Sequence, residues 1–177
     1  MEEIRLVPLT ADDREQFISD NQEAFLYGAT EEFGCRNESF NEDGEIISRR
    51  TIENSIDGEN AQAYRIMQGD KKAGGAVVSV KGERGELELL FVIPSEHSKG
   101  IGYKAWHIIE RLNPEVRVWE TFTPYFEKRN IHFYINRCGF HAVEFFNMHH
   151  KGHFPNEDEN GCSEGSDEML RFEKYMK

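Results

Sequence analysis

The segment from residue 86 to residue 112 constrains the fold most, because three recognisable elements follow one another without interruption. It starts with the apolar run ELELLFVIP (86–94), continues through the polar loop SEHSKG (95–100), and ends in IGYKAWHIIERL (101–112). In this last part Ile101, Ala105 and Ile109 recur at a helical spacing, with Trp106 beside them. The segment therefore predicts a buried strand, a glycine-containing loop and an amphipathic helix.

The residues before this segment predict an antiparallel meander. AYRIMQG (63–69) and AGGAVVSVKG (73–82) are strand-like, and the turn sequences GDKK and GERGE separate them from each other and from 86–94. The last of these strands is too apolar for a solvated edge. A strand over 4–9, a helix starting with an N-cap at Thr10 and running to about Phe25, and a short helix near 46–56 precede the meander.

The residues after the helix continue the mixed pattern. Strands are predicted at 116–122, 140–150 and 169–176, and a helix at 125–138 that ends before Gly139. No internal repeat or linker divides the chain. We therefore expect residues 1–177 to form one domain of mixed α/β class, with a mostly antiparallel central sheet of six or seven strands.

The composition limits the class of protein. With 38% hydrophobic and 12% aromatic residues the chain is globular. No apolar run approaches the roughly 20 residues of a membrane helix, and MEEIRLVPLT has no signal-peptide pattern. The three cysteines, Cys35, Cys138 and Cys162, are interpreted as free thiols in a reducing compartment. These features predict a cytoplasmic protein without a membrane partner.

The charge is distributed unevenly along the chain. The whole chain carries −12, and residues 1–60, with 16 acidic and 5 basic side chains, account for −11 of it. A field of this sign repels nucleic acid and attracts cations. The alternative interpretation is a solvated acidic surface that keeps the protein soluble.

The glycine loop before the helix has the features of an anion site. Backbone N–H groups at a helix N-terminus lack partners, and the helix dipole favours negative charge there. A Walker loop is excluded, because no GK[ST] follows at the required spacing. Gly100-Ile-Gly102-Tyr-Lys-Ala105 also spells the G-x-G-x-x-A of a dinucleotide fold, with Glu120 as its ribose-binding acid. The antiparallel meander and the intervening residues 95–99 disfavour this alternative.

His97-Ser-Lys-Gly100-Ile-Gly102 resembles motif A of the GCN5-related N-acetyltransferases, [QR]-x-x-G-x-[GA]. FYINRCGF (133–140) resembles the family signature F-Y-x-K-x-G-F, and the order of elements over 4–150 is similar to that of the family. Two departures stand out. His97 replaces Gln or Arg, and Tyr134 lies one residue further from Gly139 than usual, so Ile135 is an alternative equivalent of the family's tyrosine.

The resemblance implies a three-layer α/β/α fold whose sheet splays between 86–93 and 116–122. It also implies acetyl-CoA as co-substrate, with the diphosphate on the loop amides, the pantetheine arm along the strand, and the Val92 amide facing the thioester oxygen. No metal is expected. The residues assigned to the coenzyme are Phe91, Val92, Ile93, His97, Ser98, Lys99, Gly100, Ile101, Gly102, Tyr103 and Asn130.

The resemblance further implies direct attack of an amine on acetyl-CoA in a ternary complex, with Tyr134 giving a proton to the leaving thiolate. An ammonium group with a pKa near 10 must first lose a proton. Glu88, four residues before Val92 on an apolar strand, is the candidate base. Glu86 is the reserve, and water alone is a further alternative.

The acceptor is predicted from charge. A small cationic amine fits the acidic first third, and five carboxylates are candidates to line its site: Glu31, Glu32, Glu42, Asp43 and Glu45. A catalytically degenerate acyl-CoA-binding module and a protein or peptide N-acetyltransferase remain alternatives, and a homodimer stays open. His149, His150 and His153 with Cys162 lack the ordered spacing of a zinc site. Cys138 is expected to be a packed thiol.

Overall fold

Seven strands and four α-helices form within residues 3–32, 46–97, 99–152 and 168–177, the ranges described by the structure, which is a computed structural model. The strands are β1 (Ile4–Pro8), β2 (Ala61–Gln68), β3 (Lys71–Lys81), β4 (Arg84–Val92), β5 (Val118–Pro124), β6 (His141–Phe146) and β7 (Met169–Tyr175). The helices are α1 (Arg14–Tyr27), α2 (Arg49–Ile56), α3 (Ile101–Leu112) and α4 (Lys128–His132). No described helix has both the length and the apolar character needed to cross a bilayer.

One sheet contains all seven of these strands, in the order β1-β2-β3-β4-β5-β7-β6. Every neighbouring pair is antiparallel except β4 and β5, which run parallel. The predicted meander is therefore confirmed as β2–β4, and its apolar last strand lies in the middle of the sheet. The predicted mixed class and strand number are also confirmed.

The sheet opens between β4 and β5. Only three residue pairs join the two strands, and they end at Glu86 and Glu120. From Leu87 onward, β4 stays paired with β3 while β5 pairs with β7 along its whole length. The expected splay is thus present, and it leaves one edge of the second half of β4 unpaired with a strand.

Helices cover both faces of the sheet, which gives the three expected layers. Phe17 of α1 and Ile52 of α2 pack with Val77 and Leu89 on one face. On the opposite face, Trp106 of α3 belongs to a separate buried cluster. Alternation along the strands explains this division, because successive side chains point to opposite faces. We refer to the two sides as the α1 face and the α3 face.

A β-bulge in β4 interrupts this alternation. Val78 pairs with Leu87 and Val77 pairs with Leu89, so Glu88 is an extra residue without an opposite partner in β3. As a result Leu87 packs on the α3 face, whereas Leu89 packs on the α1 face. Bulges bend a strand and increase its twist, and this one lies where β4 separates from β5.

Several predicted boundaries are wrong for local reasons. The helix predicted over 125–138 begins only at Lys128, after a turn in which the Glu127 N–H donates to the Pro124 carbonyl, and it changes to a π-helix over Phe133–Cys138. The first helix continues past Phe25 to Tyr27, and the Thr10 side chain makes no cap hydrogen bond. The strand predicted over 140–150 ends at Phe146, because the Asn147 side chain accepts the N–H groups of His149 and His150.

Candidate active site

A cavity of about 380 Å³ lies beside the open edge of β4. The end of α1, the second half of β4, the loop after it, the start of α3 and the α4 segment all contribute to its lining. Of the residues assigned from the sequence, the cavity is lined by Phe91, Val92, His97, Gly100, Ile101, Gly102, Tyr103, Asn130 and Tyr134. Residues from three separate stretches of the chain, 24–28, 90–103 and 127–137, are therefore brought together at one place.

Three assigned residues do not line the cavity. The Ile93 N–H donates to the Ala73 carbonyl at 2.9 Å, which ties that residue to β3. The Lys99 ammonium forms an ion pair with the Glu96 carboxylate at 2.6 Å. Glu88 lies on β4 before the cavity begins. A fourth residue, Ser98, lies outside the described part of the chain.

The glycine loop has the backbone geometry that its sequence suggests. Gly100 adopts a φ of 69° at the N-cap of α3, and no atom lies within 4 Å of the position that a Cβ would take there. The requirement for glycine is therefore conformational, since this left-handed region is unfavourable for other residues. The Lys104 N–H is bonded to the Gly100 carbonyl, so the preceding N–H groups of the first turn have no intrahelical partner.

The Val92 amide group is directed to the open edge of β4. Successive N–H groups along a strand point to opposite edges, and the next one along the chain, that of Ile93, is directed to β3. The Val92 carbonyl contacts His97 Nε2 at 2.9 Å within the cavity. The Val92 N–H therefore has the orientation expected of a donor to a ligand bound in the cleft.

His97 connects three sides of the cavity. Arg129 donates to His97 Nδ1 at 3.2 Å, and a guanidinium has no acceptor atom, so Nδ1 carries the lone pair. The proton then lies on Nε2, which donates to the Val92 carbonyl. The imidazole also makes an edge contact with the Tyr27 ring, with centroids 5.4 Å apart. Both ring nitrogens of His97 are thus used within the protein.

Tyr134 lines the cavity, whereas the alternative Ile135 does not. Tyr134 is 7% exposed, and Ile135 is 38% exposed. Burial raises the pKa of the Tyr134 phenol above its ordinary value, and a hydrogen bond with Thr121 opposes that shift. The phenol is therefore protonated at neutral pH and available as a proton donor.

The π-helix explains the unusual distance between Tyr134 and Gly139. A π-helical turn holds one more residue than an α-helical turn, and such turns often mark functional sites. Phe133–Cys138 forms this turn and ends at Gly139, which has a φ of 79°. The extra residue is absorbed locally, so Tyr134 keeps its place at the cavity. Cys138 is buried, as predicted, and burial raises the pKa of its thiol to about 12.

The two candidate bases differ in their surroundings. Burial raises the pKa of Glu86 to about 7, and the nearby carboxylates of Glu88 and Glu120 add to the shift. Burial also raises the pKa of Glu88, but hydrogen bonds with Ser55 and Ser79 oppose it. Glu86 therefore exchanges a proton near neutral pH, whereas Glu88 is held in place by two hydroxyl groups.

An arginine-centred network on the α1 face of the sheet was not predicted. Arg171 of β7 contacts Glu120 at 2.6 Å, Glu173 at 2.8 Å and Glu144 at 2.9 Å. Glu173 lies two residues from Arg171 on β7, whereas Glu120 and Glu144 are far from Arg171 in sequence and meet it through strand register, with Glu120 opposite Glu173 and Glu144 opposite Arg171. Glu120 is the third residue of β5 and belongs to this network, so it is not a strand-end acid of a dinucleotide fold.

Three cationic or polar residues of the cavity were also missed. Arg129, His132 and Arg137 line it from the α4 segment. Arg137 has a signal in the sequence, since the quoted signature F-Y-x-K-x-G-F has Lys two residues before its glycine and Arg137 lies two residues before Gly139. The predicted Asn130 donates to the buried carboxylate of Glu127. The α4 segment therefore makes its wall of the cavity more basic than the predicted Asn130 alone would.

The acidic residues predicted to line the acceptor site are not placed by the structure. Glu42, Asp43 and Glu45 lie outside the described residues, as do Cys35, His153 and Cys162. The side chains of Glu31 and Glu32 are likewise not described. Within the described residues, no group of three or more His, Cys, Asp or Glu side chains is arranged to hold a metal ion.

Comparisons with known proteins agree on one family. The family model described as "Acetyltransferase (GNAT) family" matches residues 16–140. A Bacillus subtilis protein named "Uncharacterized protein YrkN" is 43% identical over 173 residues, which cover 93% of this chain and 89% of that protein. The family predicted from the two motifs is therefore confirmed.

Solved structures with the same fold share little sequence with this chain. The ribosomal-protein-S18-alanine N-acetyltransferase of Escherichia coli has a TM-score of 0.66 at 17% identity, covering 97% of this chain and 92% of its own. A Bacillus subtilis acetyltransferase in complex with CoA has a TM-score of 0.60 at 18% identity, covering 100% of both chains. The spermidine N-acetyltransferase of Vibrio cholerae, in complex with CoA and spermine, has a TM-score of 0.61 at 13% identity, covering 97% and 95%. At these identities the likeness confirms the fold.

Proposed function

Because this chain belongs to the GNAT acetyltransferase family and is thereby an acyltransferase, we propose that it transfers an acetyl group from acetyl-CoA to a primary amine by direct attack in a ternary complex. The observation that carries the proposal is a single cavity. The helix N-terminus at Gly100, the free edge of β4 at Val92 and the phenol of Tyr134 all border it.

The coenzyme binds through backbone groups in this proposal. The N–H groups of residues 100–103 at the start of α3 receive the diphosphate, because they lack helical partners and lie at the positive end of the helix dipole. The pantetheine arm pairs with the open edge of β4 as an added strand does. Two of the solved structures with this fold contain CoA, which supports the assignment.

The chemical step uses two residues of this chain that line the cavity, Val92 and Tyr134. The Val92 N–H donates to the thioester oxygen, which gains negative charge as the amine attacks. Tyr134 donates its proton to the sulfur that leaves, and its raised pKa keeps the proton available at neutral pH. The C–S bond breaks as the C–N bond forms, and the amine proton passes to a base.

We assign that base to the carboxylates of β4, with Glu88 the nearer one. Glu88 is four residues from Val92 and Glu86 is six, about 13 Å and 20 Å along an extended strand. At these distances the proton passes through a short chain of water molecules rather than directly. The pKa of about 7 suits Glu86 to accept and release a proton near neutral pH, so it is the reserve base.

The acceptor is a small cationic amine in this proposal, as the charge of −11 in residues 1–60 suggests. The Glu86 carboxylate faces the same side of the sheet as Glu120, next to the opening between the strands. Such a site favours an acceptor that carries a second positive charge beyond the reacting amine. The spermidine N-acetyltransferase with the same fold supports this class of acceptor. The cytoplasmic location is part of the same proposal.

The test is CoA release measured over a matched panel of amines. The informative pair is 1,5-diaminopentane and 1-aminopentane, which have the same length and differ by one positive charge. We expect kcat/KM for the diamine to be at least tenfold higher at low salt, and the advantage to shrink as salt screens the second charge. Equal values for the two amines would contradict a dicationic acceptor.

Two alternatives are decided by the same assay. A peptide with N-terminal alanine is included, because a ribosomal-protein N-acetyltransferase has the same fold; preferred turnover of the peptide would assign a peptide acceptor. His97 in the first position of the motif and the shifted Tyr134 are the features that permit the second alternative, a catalytically degenerate acyl-CoA-binding module. Thermal stabilisation by acetyl-CoA without CoA release from any amine would support that module.

A further inference from the structure

The side chain of Arg137 lies over the aromatic ring of Tyr103. The guanidinium carbon is 5.2 Å from the ring centroid, within the range of a cation–π contact. Both residues line the cavity. Tyr103 is the third residue of α3, in the turn whose N–H groups lack helical partners. The guanidinium is therefore held beside the helix terminus that favours anions.

Arg137 makes no ion pair with any described carboxylate. The two acidic residues that line the cavity have other partners, since Glu96 pairs with Lys99 and Glu127 accepts from Asn130. Arg137 is exposed, and its guanidinium stacks on the Tyr103 ring. An arginine fork that is oriented by stacking and unpaired with acid is suited to bind an oxyanion.

The usual side chain for this purpose is absent from the loop. The motif that residues 97–102 resemble begins with Gln or Arg, whereas here it begins with His97, whose ring nitrogens contact Val92 and Arg129. Lys99, the only other cation of the loop, pairs with Glu96. A cation for the phosphate groups must therefore come from another element of the chain.

We propose that Arg137 binds a phosphate group of the coenzyme's nucleotide end and so contributes to the selection of acetyl-CoA over phosphate-free acyl donors. The inference rests on the proposed function. Stacking on Tyr103 orients the guanidinium in advance, which reduces the entropy lost on binding. The coenzyme carries a diphosphate and a 3′-phosphate, and both have the chemistry that this side chain recognises.

The test measures dissociation constants of three donors for the wild type, Arg137→Gln and the control Arg111→Gln. Arg111 is an exposed arginine in the last turn of α3, so the Arg111→Gln variant removes the same charge at the other end of that helix. The donors are acetyl-CoA, its 3′-dephospho form and S-acetylpantetheine, which has no phosphate. We expect the Arg137→Gln constant for acetyl-CoA to rise about tenfold and the Arg111→Gln constant to stay within about twofold.

The dephospho donor identifies the phosphate. If Arg137→Gln binds both acetyl-CoA and its 3′-dephospho form more weakly than the wild type does, the contact is with the diphosphate. If only acetyl-CoA binds more weakly, the contact is with the 3′-phosphate. An unchanged constant for acetyl-CoA in Arg137→Gln, or an equal loss with S-acetylpantetheine, overturns the inference. Arg137→Lys provides a second variant if the glutamine variant unfolds; it keeps the charge but not the planar fork, and an intermediate constant is expected. A wild type that binds none of the donors overturns the proposed function itself.

Discussion

Glu86 and Glu120 lie directly opposite each other in the last residue pair that joins β4 to β5. Beyond this pair the strands separate, and the cavity lies further along the open edge of β4. Glu120 is compensated by Arg171 at 2.6 Å, whereas the pKa of Glu86 is raised to about 7 by burial and by its acidic neighbours. The point at which the sheet opens therefore holds a carboxyl group that titrates near neutral pH.

Replacement of this carboxyl should change the pH dependence of stability. The pKa of Glu86 is higher in the folded state than its ordinary value of 4.5, so the folded protein binds more protons between pH 4.5 and 7. The contribution of Glu86 to wild-type stability should therefore fall as pH rises through that window. We expect Glu86→Gln to be more stable than the wild type at pH 8, by on the order of 1 kcal/mol after allowance for partial solvent exposure, with the difference shrinking toward pH 4.5.

The measurement is urea unfolding at pH 5 and pH 8. Glu83→Gln is the matched control, because Glu83 is a neighbouring glutamate with a 76% exposed side chain and a 3.8 Å contact to Arg117. The difference between Glu83→Gln and the wild type at the two pH values is the reference for the Glu86→Gln difference. A pH-independent difference for Glu86→Gln would contradict the raised pKa.

Substitutions of the two glutamates of β4 should have different effects on the rate of acetyl transfer. If Glu88 is the nearer proton acceptor, Glu88→Gln lowers kcat by about 10²-fold, within the range for general base catalysis. Glu86→Gln is expected to lower it less and to move the acidic limb of the pH–rate profile. Steady-state rates from pH 6 to pH 9 check this assignment. A wild-type rate in both variants would leave water as the proton acceptor.

Removal of the Tyr134 hydroxyl should affect turnover more than binding. Tyr134→Phe is expected to lower kcat by about 10²-fold or more because the leaving thiolate loses its proton donor, while the KM for acetyl-CoA changes little. Loss of the hydrogen bond with Thr121 adds about 1 kcal/mol of destabilisation, so rates are compared well below the melting temperature. Tyr64→Phe is the control, since that hydroxyl bonds to Gln62 away from the cavity. Unchanged turnover in Tyr134→Phe would remove the residue from the mechanism.

Gly100 and Gly82 allow backbone strain to be separated from ligand binding. Both have a positive φ, 69° and 59°, and neither has an atom within 4 Å of the position of a Cβ. Alanine at either site should cost about 1 kcal/mol of unfolding free energy through the left-handed conformation. Only Gly100→Ala should also weaken acetyl-CoA binding, and the larger Gly100→Val should abolish it. Titration of the folded variants by calorimetry checks this, and equal affinities for the two alanine variants would count against the loop as the phosphate site.

Arg65 should be far more important to stability than an arginine with similar contacts at the surface. Arg65 is 1% exposed and contacts Asp13 and Asp20, each at 2.8 Å. Arg65→Met removes the buried guanidinium from between the two carboxylates, which leaves Asp20 with only the uncharged Gln16 donor and Asp13 with only Lys72, and should cost about 3–5 kcal/mol. Arg49, an exposed residue, also contacts two carboxylates, and Arg49→Met should cost much less than Arg65→Met because solvent screens these pairs. Urea unfolding of both variants provides the comparison, and similar losses would contradict it.

The sequence was sufficient to predict the elements that position the coenzyme. The order of apolar run, glycine loop and amphipathic helix led to β4, the turn at Gly100 and α3, because each signal is local to a few residues. Most of the residues of 91–103 that were predicted to bind the coenzyme line the cavity. The boundaries of the α4 segment were wrong, because a π-helix depends on how a helix packs and no periodicity indicates it in advance.

By itself, then, the sequence determined the family, the mixed α/β class and the location of the glycine loop, since these follow from short-range patterns of apolar residues and glycines. Tertiary structure alone decided which charged groups meet. Glu86 faces Glu120 because of one strand register, Arg171 reaches three carboxylates because β7 lies between β5 and β6, and Arg137 covers Tyr103 because a π-helix ends at Gly139. Such contacts join residues distant in sequence, and their pKa values and ligands depend on burial and register that exist only after the chain has folded.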